Sequence, residues 1–224
     1  MPRKGSALRE FPILVIVALA VSLLIKTFLV QFFFIPSGSM ENTLQISDRV
    51  AVNKIPFISK AINRGDVVVF RDPANWLPEP YDATENKIIS TIKEGLVAVG
   101  VLPNPAKQYL VKRVIGVAGD HIICCSNGKL TINGKETNEP YIFAGNKPSE
   151  MDFNVTVPEG KIWVMGDHRG SSADSRYHQD DVNHGFVPVE KVTGRVFAII
   201  WPFKHIGLVP NHNPIKSLFN HESD

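Results

Sequence analysis

"YLVKRVIGVAGD", residues 109–120, sets Leu110, Val111, Val114, Ile115 and Val117 around two adjacent cations, Lys112 and Arg113, and closes on Gly119-Asp120. A short run this rich in β-branched residues, ended by turn chemistry, predicts a strand. Working outward, the same pattern recurs in "DRVAVNKIPF" (48–57), "RGDVVVFRDP" (64–73), "GKLTINGKE" (128–136), "FNVTVPEGKIWVMGD" (153–167) and "GRVFAIIWPF" (194–203). Asn133-Gly134 marks a tight turn within the third of these. Short strands punctuated by Gly and Pro predict a mainly β architecture rather than an alternating α/β one. Residues 74–108 depart from it: Ile88, Ile89, Ile92, Leu96 and Val99 fall near helical spacing, which predicts an inserted helix. That insertion either packs on the β domain or rests on a bilayer through Trp76 and Leu77 in its proline-rich approach.

Before the strands stands "FPILVIVALAVSLLI" (11–25), without a charge, and apolar character resumes after Lys26-Thr27 through Phe34 and Ile35. Together these pieces reach the roughly 20 residues a helix needs to cross a bilayer. Lys26 lies late enough to reach toward the outer headgroups. Arg3, Lys4 and Arg9 precede the run, which predicts a cytoplasmic N-terminus at 1–10, a single transmembrane helix at 11–31, and an extracytoplasmic β-rich domain at 32–224 carrying the 74–108 insertion. The competing reading is a cleaved secretory signal, with Ser37-x-Ser39 as the small-residue site. The length of the apolar run and the aromatic cluster Phe32, Phe33 and Phe34 favour the anchor.

The 224 residues carry 24 Lys+Arg against 22 Asp+Glu, a net charge of +2, so no field argues for nucleic acid. The only cysteines, Cys124 and Cys125, are neighbours that do not easily close a relaxed disulfide and are read as two small apolar residues.

A catalytic serine needs a base to take its proton. In "FFFIPSGSMENTL" (32–44), Ser39 occupies a Ser-Gly-Ser turn at the membrane boundary whose amides can face a developing oxyanion. Alone, such a tripeptide also fits an ordinary turn. None of the seven histidines sits in a motif that demands it; His178, His184, Asp180 and Asp181 match no standard metal spacing and read as solvated loop residues. Lys112 has two options on its strand: pointing inward, desolvated and with a lowered pKa usable for a base, or facing water on a polar edge, which the pattern by itself favours. "MGDHRGSSADSRYH" (165–178) packs Asp167, Arg169, Asp174 and Arg176 among serines, which fits a paired-charge framework that orders a site.

Taken in order, "IPSGSMENTL" after an apolar helix, then "RGDVVVF" and "YLVKRVIGVAGD", then "GDHRGSSADSR", closely resemble the bacterial type I signal peptidases. The likeness runs from the anchor to "GRVFAIIWPF", except for residues 74–108, 127–157 and the last dozen or so. The resemblance implies a β-rich serine endopeptidase that removes signal peptides from exported preproteins after small residues (A-x-A) by a Ser/Lys dyad, with no metal or cofactor. By position it makes Ser39 the nucleophile, Lys112 the general base and Ser37 an oxyanion donor beside the Ser39 amide. Ser172 becomes the serine that orients the lysine, while Asp167, Arg169, Asp174 and Arg176 become structural salt-bridge residues. Ile35, Pro36, Leu110 and Val111 are implied to line the pockets for the small side chains. Departures are His168 and Gly170-Ser171, where relatives often carry an asparagine and an Asp-Asn pair.

The implied partners are signal peptides of secretory preproteins and the lipid bilayer, with the translocation machinery a further candidate, and the implied location is the bacterial cytoplasmic membrane with the catalytic domain outside. Two rivals are a self-cleaving repressor-like peptidase, for whose DNA-binding module the anchor leaves no room, and a membrane-tethered β domain that binds without cutting. Asn154-Val155-Thr156 reads as a chance glycosylation sequon in a bacterial-looking chain.

Overall fold

A computed structural model of the chain describes residues 7–54, 62–78, 108–126 and 128–215. It holds one α-helix, α1 (Ala7–Phe28), and twelve strands: β1 (Val30–Phe34), β2 (Arg49–Asn53), β3 (Val67–Arg71), β4 (Tyr109–Gly116), β5 (His121–Ser126), β6 (Lys129–Ile132), β7 (Lys135–Glu136), β8 (Phe153–Thr156), β9 (Lys161–Met165), β10 (Val187–Pro188), β11 (Val192–Trp201) and β12 (Gly207–Leu208). The mainly β expectation holds. Among the described residues no helix is long and apolar enough to cross a membrane. The expected insertion helix lies outside the described residues.

The strands form two antiparallel sheets. The larger runs β1-β2-β11-β3-β4-β9-β10, with β12 on β11, and the smaller runs β7-β6-β5-β8. The stretch expected to lie as an aromatic cluster at a membrane interface is β1, paired along its whole length with β2. Its alternation explains this: Phe33 is buried, while Phe32 and Phe34 face out. Asn133 and Gly134 take the positive φ values of 54° and 76° that a tight turn between β6 and β7 requires.

Among the described residues three apolar clusters hold the fold. Ile115, Ile122, Leu130, Ile132, Phe153 and Trp163 bind the smaller sheet to the larger. On the larger sheet, Phe33, Ile35, Met40, Leu44, Val50 and Val52 form one cluster, with Tyr109 and Val111 packed against it. Val68, Phe70, Trp76, Leu110, Val114 and Ile162 form the other. Residues 109 and 111 therefore pack on one face of β4 and residues 110 and 114 on the other, as strand alternation dictates. Of the two options for Lys112 the inward one is found: it is 4% exposed, with the Ser39 turn closing over it, and Arg113 is 0% exposed, enclosed by Asp167 and Thr43. Cys124 and Cys125, read as two small apolar residues, lie in β5 and pack in the first of these clusters, with their sulfurs paired.

Candidate active site

Ser39 sits in a single 3-10 turn, Gly38–Met40, that follows β1. The turn is fixed by Glu41 N–H donating to the Gly38 carbonyl (3.0 Å) and by Leu44 N–H donating to the Met40 carbonyl (2.8 Å), with Met40 and Leu44 buried beneath it. From the far side, His168 N–H donates to the Ser39 carbonyl at 3.1 Å. Residue 166 must be glycine for this approach, since a Cβ there would meet the Ser39 carbonyl oxygen at 2.5 Å and Ser172 Oγ at 2.3 Å.

Lys112 reaches this turn from the middle of β4, its Nζ 2.6 Å from Ser39 Oγ. Ser39 is 8% exposed and Lys112 4%. Burial, only partly offset by the charges of Asp174 and Asp167 and reinforced by Arg176, lowers the Lys112 pKa to about 8. A lysine so placed is neutral in a substantial fraction of molecules just above neutrality. Protonated, it donates to the serine oxygen; neutral, it can accept the serine proton across the same contact.

Ser37 Oγ lies 3.5 Å from Ser39 Oγ on the exposed side of the turn. Ser172 is buried, but its hydroxyl donates to Asp174 Oδ2 (2.8 Å) rather than to the lysine amine. Asp174 pairs with Arg176 (2.8 Å) and also accepts from Gly166 N–H (2.9 Å). The other two charges of the loop find partners that sequence reading missed. Asp167 receives a forked bond from Arg113 at 2.8 and 2.6 Å, and Arg169 pairs with Glu139. Adjacency in sequence suggested pairing inside the loop. The fold instead brings in β4 and the segment after β7.

Beside the serine and lysine opens a cleft of about 300 Å³. The four residues implied as pocket lining, Ile35, Pro36, Leu110 and Val111, all line it, as do Ser37, Ser39 and Lys112. Sequence reading missed Phe33, Met40 and Tyr109 on one wall and Trp76 and Leu77 on the other. The spacing of Tyr109 to Val111 was the signal for the first. Nothing local pointed to the second. Trp76 does not project toward a bilayer: it is 7% exposed and its indole N–H donates to Asp181 at 2.7 Å. His178 and Asp181, read as solvated loop residues, are built into the fold: His178 stacks on Trp76 with ring centres 4.3 Å apart, and Asp181 also accepts from Asn183 N–H and Gly185 N–H.

β9 pairs with β4 only from Arg113 onward (Arg113 with Met165, Val114 with Val164), so among the described residues no strand covers that edge of β4 at residues 109–112.

The sequence comparisons agree on what this site belongs to. Residues 8–201 match the family "Signal peptidase, peptidase S26". A probable signal peptidase I of Mycobacterium leprae is 37% identical over 95% of this chain and 82% of the relative. A signal peptidase I of Mycobacterium tuberculosis is 37% identical over 95% of this chain and 79% of the relative. A solved signal peptidase I from Enterococcus faecalis aligns at a TM-score of 0.38 with 24% identity, covering 60% of this chain and 96% of the other. With a family match across nearly the whole described chain, the protein belongs to the signal peptidase family, peptidase S26, and is a serine endopeptidase.

Proposed function

We propose that this chain is a membrane-anchored signal peptidase that cuts exported preproteins after small residues, with Ser39 as nucleophile and Lys112 as general base. The observation that carries the reading is the 2.6 Å contact between Lys112 Nζ and Ser39 Oγ, in a site dry enough to hold the amine near pKa 8, at the mouth of an apolar cleft. Neutral Lys112 takes the proton of Ser39 as Oγ bonds to the scissile carbonyl carbon, and the carbonyl oxygen becomes an oxyanion facing the Ser39 amide and the Ser37 hydroxyl. The Lys112 ammonium then protonates the departing amine, leaving an ester on Ser39. Water, giving its proton to Lys112, attacks that ester and frees the peptide acid, and the proton returns to Ser39.

The substrate reaches this site extended. The edge of β4 at residues 109–112, which no described strand covers, accepts a strand by backbone pairing, which delivers alternate side chains to the two walls of the cleft. The uncharged run at 11–25 is the anchor, and the described apolar side chains of α1 at Phe11, Leu14, Ile16 and Leu19 are exposed. At the end of β1 away from α1, beside the Ser39 turn, the sheet carries an apolar rim. Phe34 and Trp201 flank Arg49 in register, and Phe203 and Leu208 beside them are 77% and 81% exposed. This rim supports a membrane-facing edge next to Ser39, with residues 1–10 in the cytoplasm and the β domain on the extracytoplasmic face of the membrane. Signal peptides and lipid are the partners, and the translocation machinery is a further one.

The test is cleavage of a preprotein carrying an A-x-A site, in liposomes, by the intact protein, by Ser39→Ala and by Lys112→Ala. Cutting at that site by the first and by neither variant supports the dyad. An intact, folded protein that binds the preprotein and leaves it whole overturns the reading in favour of a binding domain.

A further inference from the structure

The two walls of the cleft differ in kind. On one, Phe33, Ile35 and Met40 crowd against Tyr109 and Val111, with Met40 directly after the nucleophile and nearly wholly buried. The other is made by Leu110 with Trp76 and Leu77, which belong to the opposite cluster of the sheet. The second wall is braced from several directions. The Asp72 carboxylate accepts from the amides of Ala74 (3.1 Å), Trp76 (2.8 Å) and Leu77 (2.8 Å). The indole is held edge-on by Phe70, face-on by His178, and at its nitrogen by Asp181. A tryptophan locked in this way is a rigid surface rather than an adaptable filler.

We propose that Trp76 is a specificity-determining residue: with Leu77 and Leu110 it forms a second, apolar subsite that receives the side chain between the two small residues, so this peptidase prefers a large apolar residue at the middle position of A-x-A. The inference rests on the peptidase reading above. In an extended strand on β4, the residues one and three before the cut share a face, and the residue between them points to the other. The face next to the nucleophile is crowded by Met40 and Ile35, so it admits only small side chains. The middle residue then meets Trp76. An aliphatic or aromatic side chain there leaves water for an apolar wall, whereas a carboxylate is left without a partner on that wall.

The experiment is a one-pot competition among preprotein peptides that differ only at the middle position (Ala, Leu, Phe, Asp), cut by the full chain in liposomes, with kcat/KM ratios as the readout. Wild type is expected to favour Leu and Phe over Asp by about tenfold, the scale of discrimination an apolar subsite gives. Trp76→Ala is expected to collapse that ratio to within about twofold, with Trp76→Phe between. Leu77→Ala gives a second variant that spares the indole and its bonds to Asp181, so loss of folding in Trp76→Ala, seen by thermal melting, does not end the test. The proposal fails if wild type cuts all four peptides equally, or if folded Trp76→Phe and Leu77→Ala keep the full ratio. It also fails if the variants change selectivity at the small positions instead. Each of those outcomes leaves the peptidase reading standing, whereas no cleavage of any A-x-A peptide by wild type removes that reading itself.

Discussion

The two faces of β4 treat a buried cation in opposite ways. On the face that Tyr109 and Val111 share, Arg113 is fully enclosed and fully answered: a forked bond to Asp167, a bond to the Gly65 carbonyl at 2.8 Å, one to Thr43 Oγ1 at 3.0 Å, and the Tyr141 ring 4.1 Å from its guanidinium carbon. One residue earlier, Lys112 is buried as deeply, yet its close polar contact is a neutral serine hydroxyl, and its pKa drops to about 8. A compensated buried charge stays charged and acts as a brace. An under-compensated one is readily deprotonated, and so becomes available as a base.

The sharpest way to break this comparison is to remove the charge from each residue by the same change. Lys112→Met is expected to lower kcat by about 10⁴-fold or more, measured by preprotein cleavage, since the serine loses its base. The same variant is expected to be more stable than wild type at pH 7 by about 1–3 kcal/mol in urea unfolding, because the folded chain no longer encloses an ammonium. The sign follows from the depressed pKa. Between about 8 and 10.5 the unfolded chain binds the extra proton, so wild-type stability rises with pH there and the advantage of the variant vanishes by the upper limit. Stability equal to or below wild type at pH 7 would show the lysine to be compensated after all. Arg113→Met is expected to do the reverse, costing about 3–5 kcal/mol by stranding Asp167, with a drop in Tm of about 10 °C.

Smaller effects sharpen the picture within the cleft. Ser37→Ala is expected to reduce kcat about 10²-fold with KM nearly unchanged, as the loss of one oxyanion donor does, and a pure KM effect would move Ser37 from chemistry to binding. Least dramatic is the acid limb. The rate is expected to fall about tenfold for each pH unit below about 8, as the Lys112 amine takes up its proton, and to level off above it. A flat profile between pH 6 and 8 contradicts the lysine as base.

Much of the fold was legible because strand signals are local. "VVVF", "YLVKRVIG" and "KIWVM" each carry their β character within a few residues, and they are β3, β4 and β9. The residues that line the cleft from β1 and β4 were likewise within reach, since alternation ties Tyr109 to Val111 and Phe33 to Ile35. The wall formed by Trp76 was not. Its indole is held by Asp181, 105 positions away, and nothing in a proline-rich loop announces such a partner. The salt bridges tell the same story: the loop at 165–178 advertised its charges, but Asp167 chose Arg113 and Arg169 chose Glu139, across separations no local rule reaches.

Local sequence carries the strand content, the turn at Asn133-Gly134, the uncharged run at 11–25 and, through ordered motifs, membership of the signal peptidase family. These rest on periodicity, φ preference and motif order, all properties of neighbouring residues. The packed fold alone settles whether Lys112 faces water or Ser39, which edge of β4 is unpaired among the described residues, and which cation each buried carboxylate holds. Burial is a property of the whole packed chain: the Ser39 turn closes over Lys112 while no described strand pairs with that edge of β4 at 109–112, and no single stretch of sequence carries that arrangement.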